Sequence, residues 1–147
     1  MARKPHADGG IVVGIDGSPS SAAALRWALD EAAKTGSTVK AVMAWEVPTN
    51  WGKKVPVYPG DDLGEKAAEA LAAIVDAAAA ARPGVNVTQT VAKGHPARVL
   101  LDESEGADLL AVGQRGLGGF TGAMLGSVSQ KCLHHATCPV LVVRAED

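Results

Sequence analysis

Aromatic side chains are nearly missing from this 147-residue chain: three tryptophans, Tyr58 and Phe120 make up 3% of it. A stacking platform for single-stranded nucleic acid needs several aromatics on one face, so that class is excluded. Charge offers no substitute. The formal net charge is -2 and the pI about 6.1, which leaves no positive field to gather a phosphate backbone. Cysteine is scarce as well: Cys132 and Cys138, six positions apart, cannot build a disulfide framework and suit a reducing compartment. The alanine-rich stretch is interrupted by Glu65, Lys66, Glu69 and Asp76, so no run reaches the roughly 18 apolar residues of a membrane span. Met1 to Gly10 carries basic residues without an apolar core, and no signal peptide is expected. Together these absences lead us to expect a soluble, cytoplasmic protein with neither nucleic acid nor membrane as partner.

What the chain does contain is 47% hydrophobic and 20% charged residues, the balance of an ordinary globule with a core of Ala, Val and Leu. A domain of this length buries roughly two thirds of its unfolded surface and needs no metal or disulfide to fold. We expect a flexible tail over residues 1–10 and one domain over 11–145.

Ile11-Val12-Val13-Gly14-Ile15 is an unbroken apolar run, as in a strand buried on both faces. Ser18 then caps, and Pro19 opens, a helix to about Thr35 that Gly36 ends. A strand follows over Thr38 to Trp45. Glu46 to Gly60, with three prolines and two glycines, reads as a long loop. Asp61 and Asp62 begin a helix to about Ala81, and Val85 to Val91 alternates like a half-exposed strand. Pro96 starts a third helix, Asp108 to Val112 is a buried strand, Ser127 to His135 a fourth helix, and Pro139 to Val143 the last strand. Strand and helix alternate throughout. That pattern predicts a single-domain α/β fold, an open, doubly wound parallel sheet of five strands with helices on both faces.

In such sheets ligands sit beyond the carboxyl ends of the strands, where the strand order reverses. Asp16-Gly17-Ser18 follows the first strand and the segment from Gly113 to Ser129 follows the fourth. The second holds six glycines in the fourteen residues from Gly113 to Gly126, which lets backbone approach a ligand and turn its amides toward it. Gly126-Ser127-Val128-Ser129 then enters a helix whose N-terminus is a natural phosphate cradle, and Arg115 adds a charge. Gly-rich loops often merely turn the chain, but here loop, helix start and hydroxyls coincide at a strand's carboxyl end, which favours anion binding. A valine at Gly113 or Gly126 is expected to fill the phosphate space and leave the fold intact.

The spacing Gly113-x2-Gly116-x9-Gly126-Ser127 resembles the ATP-binding branch of the universal stress protein family. So do Val13-Gly14-Ile15-Asp16-Gly17-Ser18, Trp45-Glu46, Gly94-His95-Pro96-Ala97, the run Ala107 to Gly113 and the closing Cys138 to Val143. The resemblance implies strand order 3-2-1-4-5, an adenine nucleotide alpha-hydrolase-like fold, and site roles. Asp16 would meet the ribose or the metal-phosphate region, with Gly14 and Ile15 lining the nucleotide and Ala44 offering backbone groups to adenine. Val112, Gly113, Arg115 and Gly116 would hold ribose and phosphates, and Gly126, Ser127, Val128 and Ser129 the phosphate tail. The implied ligand is ATP with Mg2+.

Rival readings lose on missing parts. A response-regulator receiver needs an acidic pair after the first strand and an acceptor aspartate after the third, where this chain has Gln89-Thr90-Val91-Ala92. Neither a P-loop nor a G-x-G-x-x-G fingerprint is present. An ATP-pyrophosphatase would have two adjacent glycines where Asp16-Gly17-Ser18 stands. Ser127 and Ser129 lack an evident base, and a loop histidine such as His95 is more often simply solvated. An efficient enzyme is therefore not expected, with slow ATP turnover or autophosphorylation left open. Cys132-x-His134-His135-x2-Cys138 could suggest a metal, yet structural zinc usually draws on two separated ligand pairs, so packing is the expected role. Lys53 and Lys54 with Trp51 and Tyr58 read as a solvated loop. The closing strand Val140 to Val143 is uniformly apolar and falls at a sheet edge, so we expect a homodimer through its antiparallel pairing, as the resemblance also implies. The alternative is a nucleotide-free member serving as a protein-interaction module.

Overall fold

The computed structural model describes residues 8–47, 49–50, 53–54, 62–115 and 125–145. Eleven elements follow along the chain: β1 (Ile11–Gly14), α1 (Pro19–Thr35), β2 (Val39–Trp45), β3 (Thr49–Asn50), β4 (Lys53–Lys54), α2 (Leu63–Ala79), β5 (Val87–Lys93), α3 (Pro96–Glu103), β6 (Leu109–Gly113), α4 (Ser127–His135) and β7 (Val140–Val143). The main sheet is parallel, ordered β5-β2-β1-β6-β7. Counted over its own five strands, that is the expected order 3-2-1-4-5.

Each strand alternates its side chains between two cores, and this places the helices. Ile11 and Val13 of β1 join α1 and α2 through Leu25, Leu29, Leu71 and Val75 on one face. Val12 of the same strand joins α3 and α4 through Val99, Leu100 and Cys132 on the other. Leu25, Leu29, Leu71 and Leu110 are fully buried, and truncating any of them to alanine would cost about 2–5 kcal/mol. The sheet is buried on both sides, which is why its central strands read as unbroken apolar runs.

Local sequence decides where the helices start and stop. Ser18 accepts a hydrogen bond from the Ser21 amide at the head of α1, with Pro19 in the first turn, and Gly36 closes the helix in the left-handed region at φ 76°. Asp62, rather than Asp61, caps α2 by accepting from the Glu65 amide. Asp61 itself lies outside the described residues.

Three expectations need correction. The segment from Glu46 to Gly60 is not wholly loop: β3 and β4 pair antiparallel, Thr49 with Lys54 and Asn50 with Lys53. Two intervening residues ending in Gly52 are a hairpin signal that the prolines around them masked. The third sheet strand starts and ends two residues later than its alternation suggested, because seven consecutive pairs with β2, from Val39–Val87 to Trp45–Lys93, set its register. Gly9 and Gly10, assigned to the tail, are tied to the sheet's amino end. Their amides donate to the Gly106 carbonyl and to Asp108 Oδ2, both at 2.9 Å. Among the described residues no helix is long and apolar enough to cross a membrane.

Candidate functional site

β1 and β6 are neighbours whose connections leave toward opposite faces of the sheet, α1 on one and α4 on the other. Beyond their carboxyl ends opens a cavity of about 230 Å³, at the place where α/β sheets bind ligands. Eleven of the twelve residues singled out from sequence line it: Gly14, Ile15, Asp16, Ala44, Val112, Gly113, Arg115, Gly126, Ser127, Val128 and Ser129. The twelfth, Gly116, lies outside the described residues, as do the side chains of Trp51, Lys53, Lys54 and Tyr58. Ser21, Val42, Pro96 and Leu100 complete the wall and were missed. Val42 and Leu100 look like core from sequence, and only the topology shows that their ends reach the crevice. The apolar wall of Ile15, Val42, Ala44, Pro96, Leu100 and Val112 is suited to a flat, weakly polar group.

The polar end has two sides. On the β1 side, Asp16 Oδ1 accepts from the Ser18 amide at 2.9 Å and the Asp16 amide donates to Ser21 Oγ at 3.3 Å. Ser21 Oγ in turn donates to the Ser18 carbonyl at 3.0 Å. The turn is therefore filled by its own side chains, an Asx-type arrangement with Gly17 between at φ 84°.

On the β6 side the opposite holds. The cap of α4 is Gly126, which has no side chain to bond the first turn. Its amide donates to the Gln114 carbonyl at 2.8 Å, and Gln114 donates to the Val143 carbonyl at 2.8 Å, so the loop's end is pinned to β7. The amides of Ser127, Val128 and Ser129 then open the helix at the cavity wall, where backbone dipoles favour an anion.

Two assigned roles change in detail. Ser129 Oγ donates to the Gly113 carbonyl at 2.5 Å, so its proton is committed to the strand end. Its amide, rather than its hydroxyl, is what it can offer an anion. Ser127 lines the cavity and is exposed, with its hydroxyl at the wall. Gly113 is required by packing as well as by any ligand. A Cβ there would lie 2.7 Å from the Ser20 carbonyl carbon and from the Ser21 amide nitrogen. A valine would thus push α1 off the sheet instead of leaving the fold intact. Gly14 differs in kind, its Cβ falling 2.7 Å from Leu100 Cδ1, a side-chain tip that shifts more easily than backbone.

Of the cysteine–histidine segment, the two cysteines pack while His134 and His135 are exposed. Cys132 is buried in the core beside Cys138, and both are free thiols. Burial pushes the Cys132 thiol up from 9.0 to about 11, with Cys138 adding to the shift, and burial also raises Cys138. Among the described residues no three His, Cys, Asp or Glu side chains cluster as metal ligands.

Sheet order, crevice and open helix end together define a doubly wound α/β domain with a cavity at its switch point. The model of the universal stress protein family matches residues 10–144, and the chain belongs to that family. A universal stress protein of Mycolicibacterium smegmatis (strain ATCC 700084 / mc(2)155) is 41% identical over 135 residues, covering 91% of this chain and 45% of that protein. The chain thus spans about half the length of this curated relative. The crystal structure of a universal stress protein in complex with cAMP shares 26% identity at a TM-score of 0.65, covering 95% of this chain and 99% of that one. The hypothetical protein MJ0577 matches at a TM-score of 0.74 with 18% identity, over 95% of this chain and 98% of that one, a likeness of fold.

Proposed function

We propose that this protein binds ATP, as a homodimeric stress-response module with at most slow turnover. The observation that carries the reading is the start of α4: a helix N-terminus capped by glycine, set at the polar end of a cavity with an apolar wall. Among the described residues three helices have side-chain caps, Ser18, Asp62 and His95, while α4 lacks one, and its first turn lines the cavity together with Ser21 of α1 and Pro96 of α3. An oligophosphate at the amides of residues 127 to 129 would supply the missing acceptors. Among the described residues Arg115 is the cation lining the cavity and Asp16 the carboxylate. Asp16 would hold the ribose or a Mg2+ ion, and such a metal would neutralise phosphate charge. The relative solved with cAMP supports an adenine nucleotide as the class.

Among the described residues the cavity lining includes neither imidazole nor thiol, and Asp16 is its one carboxylate, which favours binding over rapid hydrolysis. Dimerisation rests on β7, which pairs with β6 alone and leaves four half-buried apolar residues at the sheet edge. The two free cysteines suit the cytoplasm.

Denaturing the purified protein and running the released small molecules on anion exchange tests the ligand. ATP in stoichiometric amount is the expected result, with heat on titration of emptied protein with Mg-ATP. An empty trace with no heat would reject nucleotide binding and leave the interaction-module reading. Light scattering should give twice the chain mass; the single-chain mass would refute the dimer.

A further inference from the structure

Ser20, in the first turn of α1, is 4% exposed and is not among the residues that line the cavity. Its hydroxyl reaches across to the other side of the site. Ser20 Oγ donates to the Arg115 carbonyl at 2.5 Å and accepts from the Arg115 amide at 3.3 Å. It thereby engages both backbone groups of one residue, as a neighbouring strand would. The position matters because the ladder runs out there: β6 ends at Gly113, and its last tie to β7 is the bond from the Gln114 amide to the Val143 carbonyl. At residue 115 the chain leaves the sheet for the cavity wall, and a side chain takes over from the strand. Gly113 permits this by having no Cβ, since that atom would fall against Ser20.

From these contacts we infer that Ser20 is a positioning residue that fixes the root of the Arg115 side chain and so sets the site's preference for phosphorylated ligands over the bare nucleoside. The inference rests on the reading of the cavity as a nucleotide site. Losing the Ser20 hydroxyl removes two of the bonds that hold the Arg115 backbone and leaves the apolar wall of Val42, Ala44 and Leu100 as it was. Affinity should therefore fall for ligands that carry phosphate and stay for those that do not.

Calorimetric titration of wild type and Ser20→Ala with ATP, AMP and adenosine decides it. We expect ATP and AMP to bind roughly five- to tenfold more weakly to Ser20→Ala, the loss of one or two hydrogen bonds, and adenosine to change by less than about twofold. Ser20→Cys keeps the volume with a weak donor and should fall between, which keeps the test open if the alanine variant folds poorly. In an Arg115→Ala background the Ser20→Ala loss should vanish, because the two changes act through one group. An equal loss for adenosine and ATP, no loss at all, or a loss that persists without Arg115 would each overturn the inference. Failure of the wild type to bind any of the three would instead sink the nucleotide reading beneath it.

Discussion

The starts of α1 and α4 stand side by side beyond two adjacent strands, both rich in serine, and they are chemically opposite. At α1 the amides are consumed locally: Ser18 takes the Ser21 amide and Asp16 takes the Ser18 amide. At α4 the cap is glycine, and the Ser129 hydroxyl turns back to the Gly113 carbonyl instead of forward to the helix. A helix dipole and a pair of serines therefore do not make an anion site. On the proposed reading what makes one is the absence of an internal acceptor, and among the described residues α4, unlike α1, has no side-chain cap. Ser18 and Gly126 are the residues that decide it.

The harshest way to break the comparison is to remove the frame on which both sides rest. Gly113→Val would drive its side chain into the α1 backbone, 2.7 Å from Cβ alone. We expect destabilisation on the order of 3 kcal/mol or more, read as a large fall in Tm or loss of soluble protein. A stable variant that has merely lost ligand would mean that α1 yields more easily than its packing implies. Next comes Gly126→Asp. Residue 126 has φ -68° and ψ 161°, open to any residue, so aspartate can cap α4 as Asp62 caps α2. It should raise stability by a few tenths of a kcal/mol while weakening ATP about a hundredfold, through competition for the amides and charge repulsion. Opposite signs in the two measurements are the signature; a joint loss of both would reduce Gly126 to a structural glycine.

Much of this was legible in the sequence because it is written in local chemistry. Alternating apolar runs and capping residues gave the element order, and Ser18, Pro19 and Gly36 framed α1 almost to the residue. The glycine-rich stretch pointed to the site since a glycine cap is visible as a letter. Other features depend on contacts between distant segments and leave no local mark. Nothing in Leu100 or Val42 says that its end reaches a crevice. Ser20 reads as an ordinary first-turn serine, 95 residues from the Arg115 carbonyl it binds. The Ser129 hydroxyl was assigned to phosphate because sequence shows which atoms exist but not which are already engaged. The β3–β4 hairpin was hidden in a proline-rich context that argued for loop.

Smaller effects sharpen the contrast. α4 can leave its first turn open because its inward face is held by packing, with Cys132 fully buried. That burial favours the neutral thiol, so the fold keeps the proton to about pH 11 while the unfolded chain releases it near 9.0. The contribution is whole below pH 9.0 and is lost as pH rises through 11, a fall of about 2–3 kcal/mol at most. Denaturant melts from pH 8 to 11 should show a steeper decline for wild type than for Cys132→Val; equal slopes would mean the thiol is not shielded.

The mildest change tests the quiet side of the pair. Ser18 is 2% exposed, and its Oγ accepts from the Ser21 amide at 3.2 Å. Ser18→Ala should cost about 1 kcal/mol as a lost cap, measured by chemical denaturation. It should leave ATP affinity within about twofold, because the ordinary worth of a hydrogen bond that the ligand does not touch appears in stability and not in binding. The same substitution frees the Ser21 amide, and that makes the result informative in either direction. If affinity instead rose severalfold, the emptied α1 start would have become a second anion cradle, and capping alone would separate the two helices. If affinity fell as far as in Gly126→Asp, α1 would already hold the phosphates, and the division of labour between the two helix starts would be wrong. An unchanged affinity with a measurable loss of stability keeps α1 as the frame and α4 as the cradle.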